Sequence, residues 1–440
     1  MSAVDVRSVR QGRSPNCSAT GMVVGAALLT VATTGVLVNV FADRLAGWLD
    51  GDADPPEPPR VRREQGGSVL SWALPPALLF VSDATAEAAL ARGASRVGAP
   101  EVTAPEGALS APLEVHLSLG TRCPVRCDTC HVSAGPDGDR GPDDLPAVLA
   151  ELARAGVFEV AFGGGEVLAR PDLVELGREA RRLGLVPNLT TSGLGLTAAR
   201  ARELAGVFGQ VNVSVDGLGA TYREVRGFDG ARAALGAVRT LADAGLRVGA
   251  NTVVTRANAD ELPRLGDALA EHGATEWQWL RLKPAGRGAA GWAATTPTPA
   301  QLLGLWPAAL RVERRTGLTI RWDCAMVPFL AAHGVPVPAL RAAAVEGCPG
   351  GRSLLTRHAD GGWAPCSFAP GGVAGPMGPA WRDDAQLRAW RERPVPPPCR
   401  GCDWHPVCAS GCRVVAAHVT GDALAADPEC PRVRAFGASG

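Results

Sequence analysis

The residues best able to do chemistry in this chain are its twelve cysteines, and they are bunched: three at 123–130, seven at 348–430, with Cys17 and Cys324 apart. Twelve in 440 residues is too sparse for a small disulfide-stapled fold. In a reducing compartment, bunched cysteines signal metal or redox chemistry. The first bunch is Cys123-x3-Cys127-x2-Cys130, in TRCPVRCDTCH. Three thiolates in one tight loop can hold three irons of a [4Fe–4S] cluster and leave the fourth open to another ligand. A zinc loop is the alternative. It wants four ligands in a closed shell, and His131 is the nearest fourth donor. The second bunch runs Cys348-x12-Gly361-x4-Cys366, then Cys399-x2-Cys402-x5-Cys408-x3-Cys412-x17-Cys430. Thiolates alone do not separate iron–sulfur from zinc there.

These residues need a scaffold, and the hydrophobic pattern supplies one. From residue 113, strand-like runs (Leu113–Leu119, Val157–Phe162, Leu185–Thr190, Gln210–Val215, Val248–Val254, Trp277–Leu282) alternate with helix-like ones. Leu145, Val148, Leu149 and Leu152 fall on one helical face that Gly156 ends; Asp172–Leu183 and Ala231–Ala244 behave likewise, ended by Gly184 and Gly245. Six β/α units predict a parallel sheet and a partial (β/α)6 barrel of the α/β class, whose site is built from loops after the strand C-termini. The first cysteine loop follows the first strand, so it belongs at that face. After about residue 300 the alternation stops and Pro, Gly and Cys dominate.

At this point the sequence resembles the radical S-adenosylmethionine superfamily, through its CxxxCxxC motif. The resemblance implies that the open iron chelates S-adenosylmethionine, whose reductive cleavage yields a 5′-deoxyadenosyl radical that abstracts a substrate hydrogen. Gly163-Gly164-Gly165-Glu166 ends the second strand and is similar to the family's GGE stretch, which assigns Gly164, Gly165 and Glu166 to the ligand's amino group. Val213-Ser214-Val215-Asp216-Gly217 resembles the SLDG segment, which assigns Ser214 to the ligand carboxylate or ribose and brings in Asp216. Arg226-Gly227 resembles a downstream RG whose arginine can pair with that carboxylate. RLKPAGRG (281–288) also looks familial and would line the adenine site, whereas Thr191 and Asn251 read as packing residues.

The seven C-terminal cysteines resemble a SPASM domain, expected to have little regular structure and to bind two auxiliary [4Fe–4S] clusters. By resemblance, Cys399, Cys402, Cys408 and Cys430 close one cluster, and Cys348, Cys366 and Cys412 give three ligands to the other. Cys324, in LTIRWDCAMVPF, is either its fourth ligand or a buried structural thiol. The expected cofactors are therefore three [4Fe–4S] clusters and S-adenosylmethionine.

SPASM domains in this superfamily mostly accompany peptide or protein substrates. That implies a radical enzyme that oxidatively modifies, by crosslinking above all, a ribosomally synthesised precursor peptide, fed by a flavodoxin- or ferredoxin-type reductant. A sulfatase-type maturase oxidising a Ser or Cys side chain is the alternative enzyme, and an Fe–S or zinc scaffold the non-enzymatic one. No catalytic cysteine or general base is identifiable in the barrel from the sequence. The balance of 44 basic and 44 acidic residues argues against a nucleic-acid partner. Only Lys283 is a lysine among the 44 basic residues, which fits GC-rich coding.

The expected organisation is 1–60, an extension with an apolar helix and Pro-rich linker; 61–112, a small hairpin-and-helix element; 113–300, the barrel; 301–345, a bridge; and 346–440, the SPASM region. Residues 18–41 carry no charge and follow Arg7, Arg10 and Arg13. They read as a membrane helix, a packed or interfacial helix, or the product of a wrongly assigned start. The expected location is cytoplasmic, with membrane contact through 18–41 left open. In the second segment, Val69–Trp72 and Ala77–Val81 read as strands around Leu74-Pro75-Pro76, with Asp83 capping a helix. VRREQGGSVLSW followed by LLFVSD resembles the start of the winged-helix modules that grip leader peptides; a separate leader-binding protein is the other expectation.

Overall fold

A computed structural model of the chain describes residues 45, 47–51, 57–73, 76–98, 108–343 and 345–437. The apolar run 18–41, Cys17 and most of the Pro-rich segment from Asp52 lie outside them. Among the described residues, no helix is long and apolar enough to cross a membrane.

The N-terminal element is a four-stranded sheet of β1 (Arg60–Glu64), β2 (Gly67–Ala73), β3 (Pro76–Val81) and β4 (Ser95–Arg96), in the order β3-β2-β1-β4. The expected hairpin is β2–β3, paired from Ser68↔Val81 to Ala73↔Pro76. The helix after it is Asp83–Ala91, but Ser82 is its cap, accepting from the Thr85 amide at 3.2 Å. Alternation along the strands gives the sheet two apolar faces. Val61, Leu70, Trp72, Leu79 and Val81 pack against Leu45, Trp48, Ala86 and Ala89. Val69, Leu78 and Phe80 pack on Leu109, Leu113 and Phe158 of the second unit.

The larger sheet runs β5 (Glu114–Ser118), β6 (Glu159–Gly163), β7 (Val186–Thr191), β8 (Val211–Ser214), β9 (Val248–Val254) and β10 (Glu276–Arg281) in sequential order. All five junctions are parallel. Crossover helices include Leu145–Ala155, Leu173–Arg182, Ala231–Asp243 and Leu262–Glu271, whose apolar faces bury Leu149, Leu152, Val238, Leu241 and Leu265 against the strands. Gly156 ends the first with φ +82° in the left-handed region, as a helix stop requires.

The sheet is wider than six strands. β11 (Thr319–Trp322) adds in parallel beside β10, and β12 (Leu354–Arg357) adds in parallel to β5 at the other edge, with β13 (Trp363–Ala364) antiparallel to it. The edges do not pair with each other, so the barrel is open. The segment carrying the last seven cysteines is mostly loops and short helices, but its β12 strand is built into the barrel sheet. Arg281, fully buried at the end of β10, clamps the rest: its guanidinium donates to Asp427 Oδ1 at 3.0 Å and Glu429 Oε2 at 2.7 Å.

Candidate active site

The loop after β5 carries Cys123, Cys127 and Cys130, and two neighbours clasp it. Gly165 N donates to Gly120 O at 2.8 Å, and Glu166 N to Arg122 O at 2.9 Å. A Cβ on Gly165 would lie 2.0 Å from the Arg122 carbonyl oxygen, and one on Gly164, at φ +116°, 2.4 Å from that of Gly120. The glycines after β6 therefore let backbone lie on backbone. From the other side, Arg287 donates through its amide to Cys130 O at 3.0 Å, through Nε to Cys127 O at 2.9 Å and through Nη2 to Ala134 O at 2.7 Å. The RLKPAGRG segment thus grips the cysteine loop. Burial pushes the Cys127 thiol up, Arg226 opposes this, and Cys130 and Cys123 add to it as neighbouring charges.

The strand ends beyond hold the other expected residues. Glu166 is buried, and its carboxylate accepts from Thr191 Oγ1 at 2.6 Å and from Ser192 N at 2.8 Å. Thr191 thus serves as a support for Glu166, and Ser192 is a second one not expected from sequence. Leu168 N, at 3.0 Å, and the Ser192 hydroxyl donate to the Glu166 carboxylate as well, which fills the about four acceptor positions of an ionised carboxylate, so a ligand cation must displace or share one of these donors. Ser214, at the end of β8, is paired in register with Asn251 in the middle of β9, and the buried Asn251 Oδ1 has no partner. Asp216 is buried too; its Oδ1 accepts from Val253 N at 2.7 Å and its Oδ2 from Arg226 Nη1 at 3.0 Å. Burial pushes the Asp216 carboxyl up while Arg226 pulls it back. Asp216 therefore positions Arg226, whose Nε is buried without a partner.

The remaining described cysteines sort into two sets. Burial pushes Cys366 up to about 12 and Cys412 to about 11. Cys366 feels Cys348 and Cys412 as neighbouring charges, and Cys324, also raised by burial, feels the same two. Cys324, Cys348, Cys366 and Cys412 therefore stand together. Cys399 feels Cys430 and Cys402, and Cys408 feels Cys430 and Cys399, which groups the other four. All eleven described cysteines are free thiols. Among the described residues, no three His, Cys, Asp or Glu converge on a single-ion site. Thiol-only sets of three, four and four are the donor chemistry that iron–sulfur clusters take.

Lys283 sits beside the inner set of four. It is buried, paired with Asp323 Oδ2, and 4.5 Å from the centre of the Phe368 ring. Burial works against its charge, but Asp323, Cys324, Cys412 and Cys366 hold it protonated. His131, 4.6 Å from Phe368 centre to centre, is pushed down to about 4 by burial and by Lys283. His131 is thus a neutral ring against Phe368. One cavity of about 510 Å³ is lined by Cys123, Cys127 and Cys130, by Cys324 and Cys366, and by Glu166, Ser214, Asp216 and Arg226.

The radical SAM superfamily model matches residues 117–269. The chain is 32% identical to a PqqA peptide cyclase of Streptomyces rochei over 344 residues, 73% of this chain and 90% of that one. It is 31% identical to a pre-heme d1 synthase of Dinoroseobacter shibae, over 71% and 84% of the two chains. Among solved structures, Streptococcus suis SuiB bound to precursor peptide SuiA superposes with a TM-score of 0.68 at 16% identity, over 85% of this chain and 98% of that one. Native anSMEcpe with bound AdoMet and Cp18Cys peptide gives 0.57 at 18%, over 74% and 95%. With a three-cysteine loop clasped by its GGE turn at the mouth of an open parallel barrel, and with relatives this similar over most of its length, the chain belongs to the radical S-adenosylmethionine superfamily.

Proposed function

We propose that the protein is a radical S-adenosylmethionine enzyme of the SPASM type that oxidatively modifies, by crosslinking, a ribosomally made precursor peptide. The observation that carries this is the shared cavity, lined by the three-thiol loop and by Cys324 and Cys366 of the inner set. Relatives named PqqA peptide cyclase, and the likeness to SuiB seated on a precursor peptide, support a peptide as occupant.

When bound, S-adenosylmethionine and its iron–sulfur cluster supply a 5′-deoxyadenosyl radical. Cys123, Cys127 and Cys130 hold that cluster. Glu166, fixed by Thr191 and Ser192, receives the ligand's ammonium, and the carbonyl oxygens of Gly164 and Gly165 can accept from it as well. Ser214 and the free Nε of Arg226 take the carboxylate. Two auxiliary clusters complete the set, one on Cys399, Cys402, Cys408 and Cys430, the other on Cys348, Cys366, Cys412 and Cys324. Lys283 offsets the negative charge of the latter, and a flavodoxin- or ferredoxin-type protein supplies electrons. β3 is an edge strand of the N-terminal sheet, so an extended leader can add to it through main-chain hydrogen bonds.

Anaerobic reconstitution tests the assignment. The protein is expected to bind about twelve irons, as three four-iron clusters require, and to convert S-adenosylmethionine to 5′-deoxyadenosine when reduced. Cys324→Ser is expected to keep most of the iron and to shift one auxiliary potential upward, because an anionic ligand is lost. Zinc in place of iron would overturn the reading.

A further inference from the structure

Strand alternation gives β5 a polar inner face of Glu114, His116 and Ser118, while Val115, Leu117 and Leu119 are buried on the other side. The three polar residues line the cavity. His116 is hydrogen-bonded through Nδ1, 2.9 Å from Ser367 Oγ, and its Nε2 lies within ion-pair distance of Glu114 Oε1, 3.4 Å away. Thr356, the register partner of His116 on β12, holds the same Ser367 hydroxyl at 3.2 Å. Ser367 also lines the cavity and directly follows Cys366.

Oxidative crosslinking leaves a proton to be placed. Joining a carbon radical to an X–H partner forms one bond, breaks the X–H bond, and releases one proton and one electron. A cluster held by Cys324, Cys348, Cys366 and Cys412 would supply the oxidant for the electron. We propose that Ser367, His116 and Glu114 form the exit for the proton, an inference that rests on the peptide-modifying reading above. The Ser367 hydroxyl accepts the peptide's proton as it passes its own to His116 Nδ1. Nε2 lies within ion-pair distance of Glu114, whose carboxylate stabilises the imidazolium once it forms, as an oriented acid–base relay requires. Proton and electron thereby leave at adjacent residues, 367 and 366.

The charged and titratable groups around His116 fit this direction. Glu159, the register partner of Glu114 on β6, is pushed up to about 8 by burial and then by Glu114. Burial thus favours the neutral form of Glu159. Asn188 Nδ2 donates to it at 2.9 Å, Arg321 and Arg247 face it across the barrel floor, and His131, His358 and Lys283 stand on the cavity side.

The test uses the reconstituted holoenzyme with any short peptide encoded next to its gene, and reads the ratio of modified peptide to 5′-deoxyadenosine. His116→Ala is expected to lower that ratio about a hundredfold, the usual worth of a positioned acid–base group, with partial rescue by added imidazole. Ser367→Ala is expected to lower it less, since water can stand in for the hydroxyl. A wild-type ratio in His116→Ala overturns the relay. So does a loss shared equally by 5′-deoxyadenosine and iron, or a loss that imidazole does not relieve. If wild-type enzyme makes 5′-deoxyadenosine and never changes the peptide, the peptide-modifying reading fails instead.

Discussion

The Arg122 carbonyl oxygen decides what can stand at position 165. It would sit 2.0 Å from any Cβ there, so glycine is the residue that lets the turn after β6 lie on the cysteine loop. Gly165→Ala must push that loop away. We expect a loss of about 1–3 kcal/mol from overpacking, read as a lower midpoint in thermal unfolding of the apoprotein, and about four irons fewer after reconstitution. A variant with wild-type iron would show that the loop does not need this clasp. At this scale the sequence was legible where a residue type is specific. The cysteine spacings pointed to iron–sulfur or zinc chemistry, and Gly164, Gly165 and Glu166 were picked out by their likeness to a known stretch. His116 was not legible, because its partner Ser367 is 251 residues away and only pairing of β12 with β5 brings them together.

Buried ion pairs join the elements. Arg62 on β1 is fully buried against the second unit. Its guanidinium donates to Glu64 Oε1 at 2.6 Å, to Pro112 O at 2.9 Å, and to Gly156 O and Ala111 O at 2.8 Å, and it lies 5.2 Å from the centre of the Phe158 ring. Arg62→Ala removes the counter-charge of Glu64, which keeps only its bonds from Ser110 N and Oγ, and leaves three carbonyls without this donor, at a cost of about 3–5 kcal/mol. The expected outcome is early proteolytic release of the N-terminal sheet; unchanged resistance would mean that the apolar contact with Phe158 suffices. Strand β6 carries a second strained group. Glu159 is held at about 8 against an ordinary 4.5, so its native state keeps a proton that the unfolded chain loses. Its contribution to stability is complete below pH 4.5 and is lost as the pH rises toward 8. Glu159→Gln removes that slope, and its unfolding midpoint should gain on wild type between pH 6 and 9. A constant difference over that range would place the titration elsewhere. The six β/α units and their helix stops were readable because period and length agree there. β1, β4 and β12 were not, since four or five residues of mixed polarity, or two exposed ones, carry no period.

Across the whole molecule, the three thiol sets share one body because the last cysteine segment is stitched into the barrel. Arg281 of β10 holds Asp427 and Glu429 just before Cys430. Asp427 also accepts from Cys412 N at 2.9 Å, and Arg357 on β12 reaches Asp144 at the start of the Leu145–Ala155 helix, 2.7 Å away. The sequence separated a barrel from a cysteine-rich tail; it did not show that the tail lends the barrel a strand, because that pairing is set by contacts far apart in the chain.

The central claim is that radical chemistry at the Cys123, Cys127 and Cys130 loop is spent on a peptide. The direct measurement is the mass of any short peptide encoded next to the gene, after anaerobic co-expression with wild-type protein and with Cys127→Ala. The account predicts that the peptide loses about 2 Da, two hydrogens per crosslink, with wild type, and none with Cys127→Ala, whose three-thiol site can no longer leave a single open iron. The same mass loss with Cys127→Ala, or an unchanged peptide beside wild-type enzyme that is forming 5′-deoxyadenosine, would contradict it.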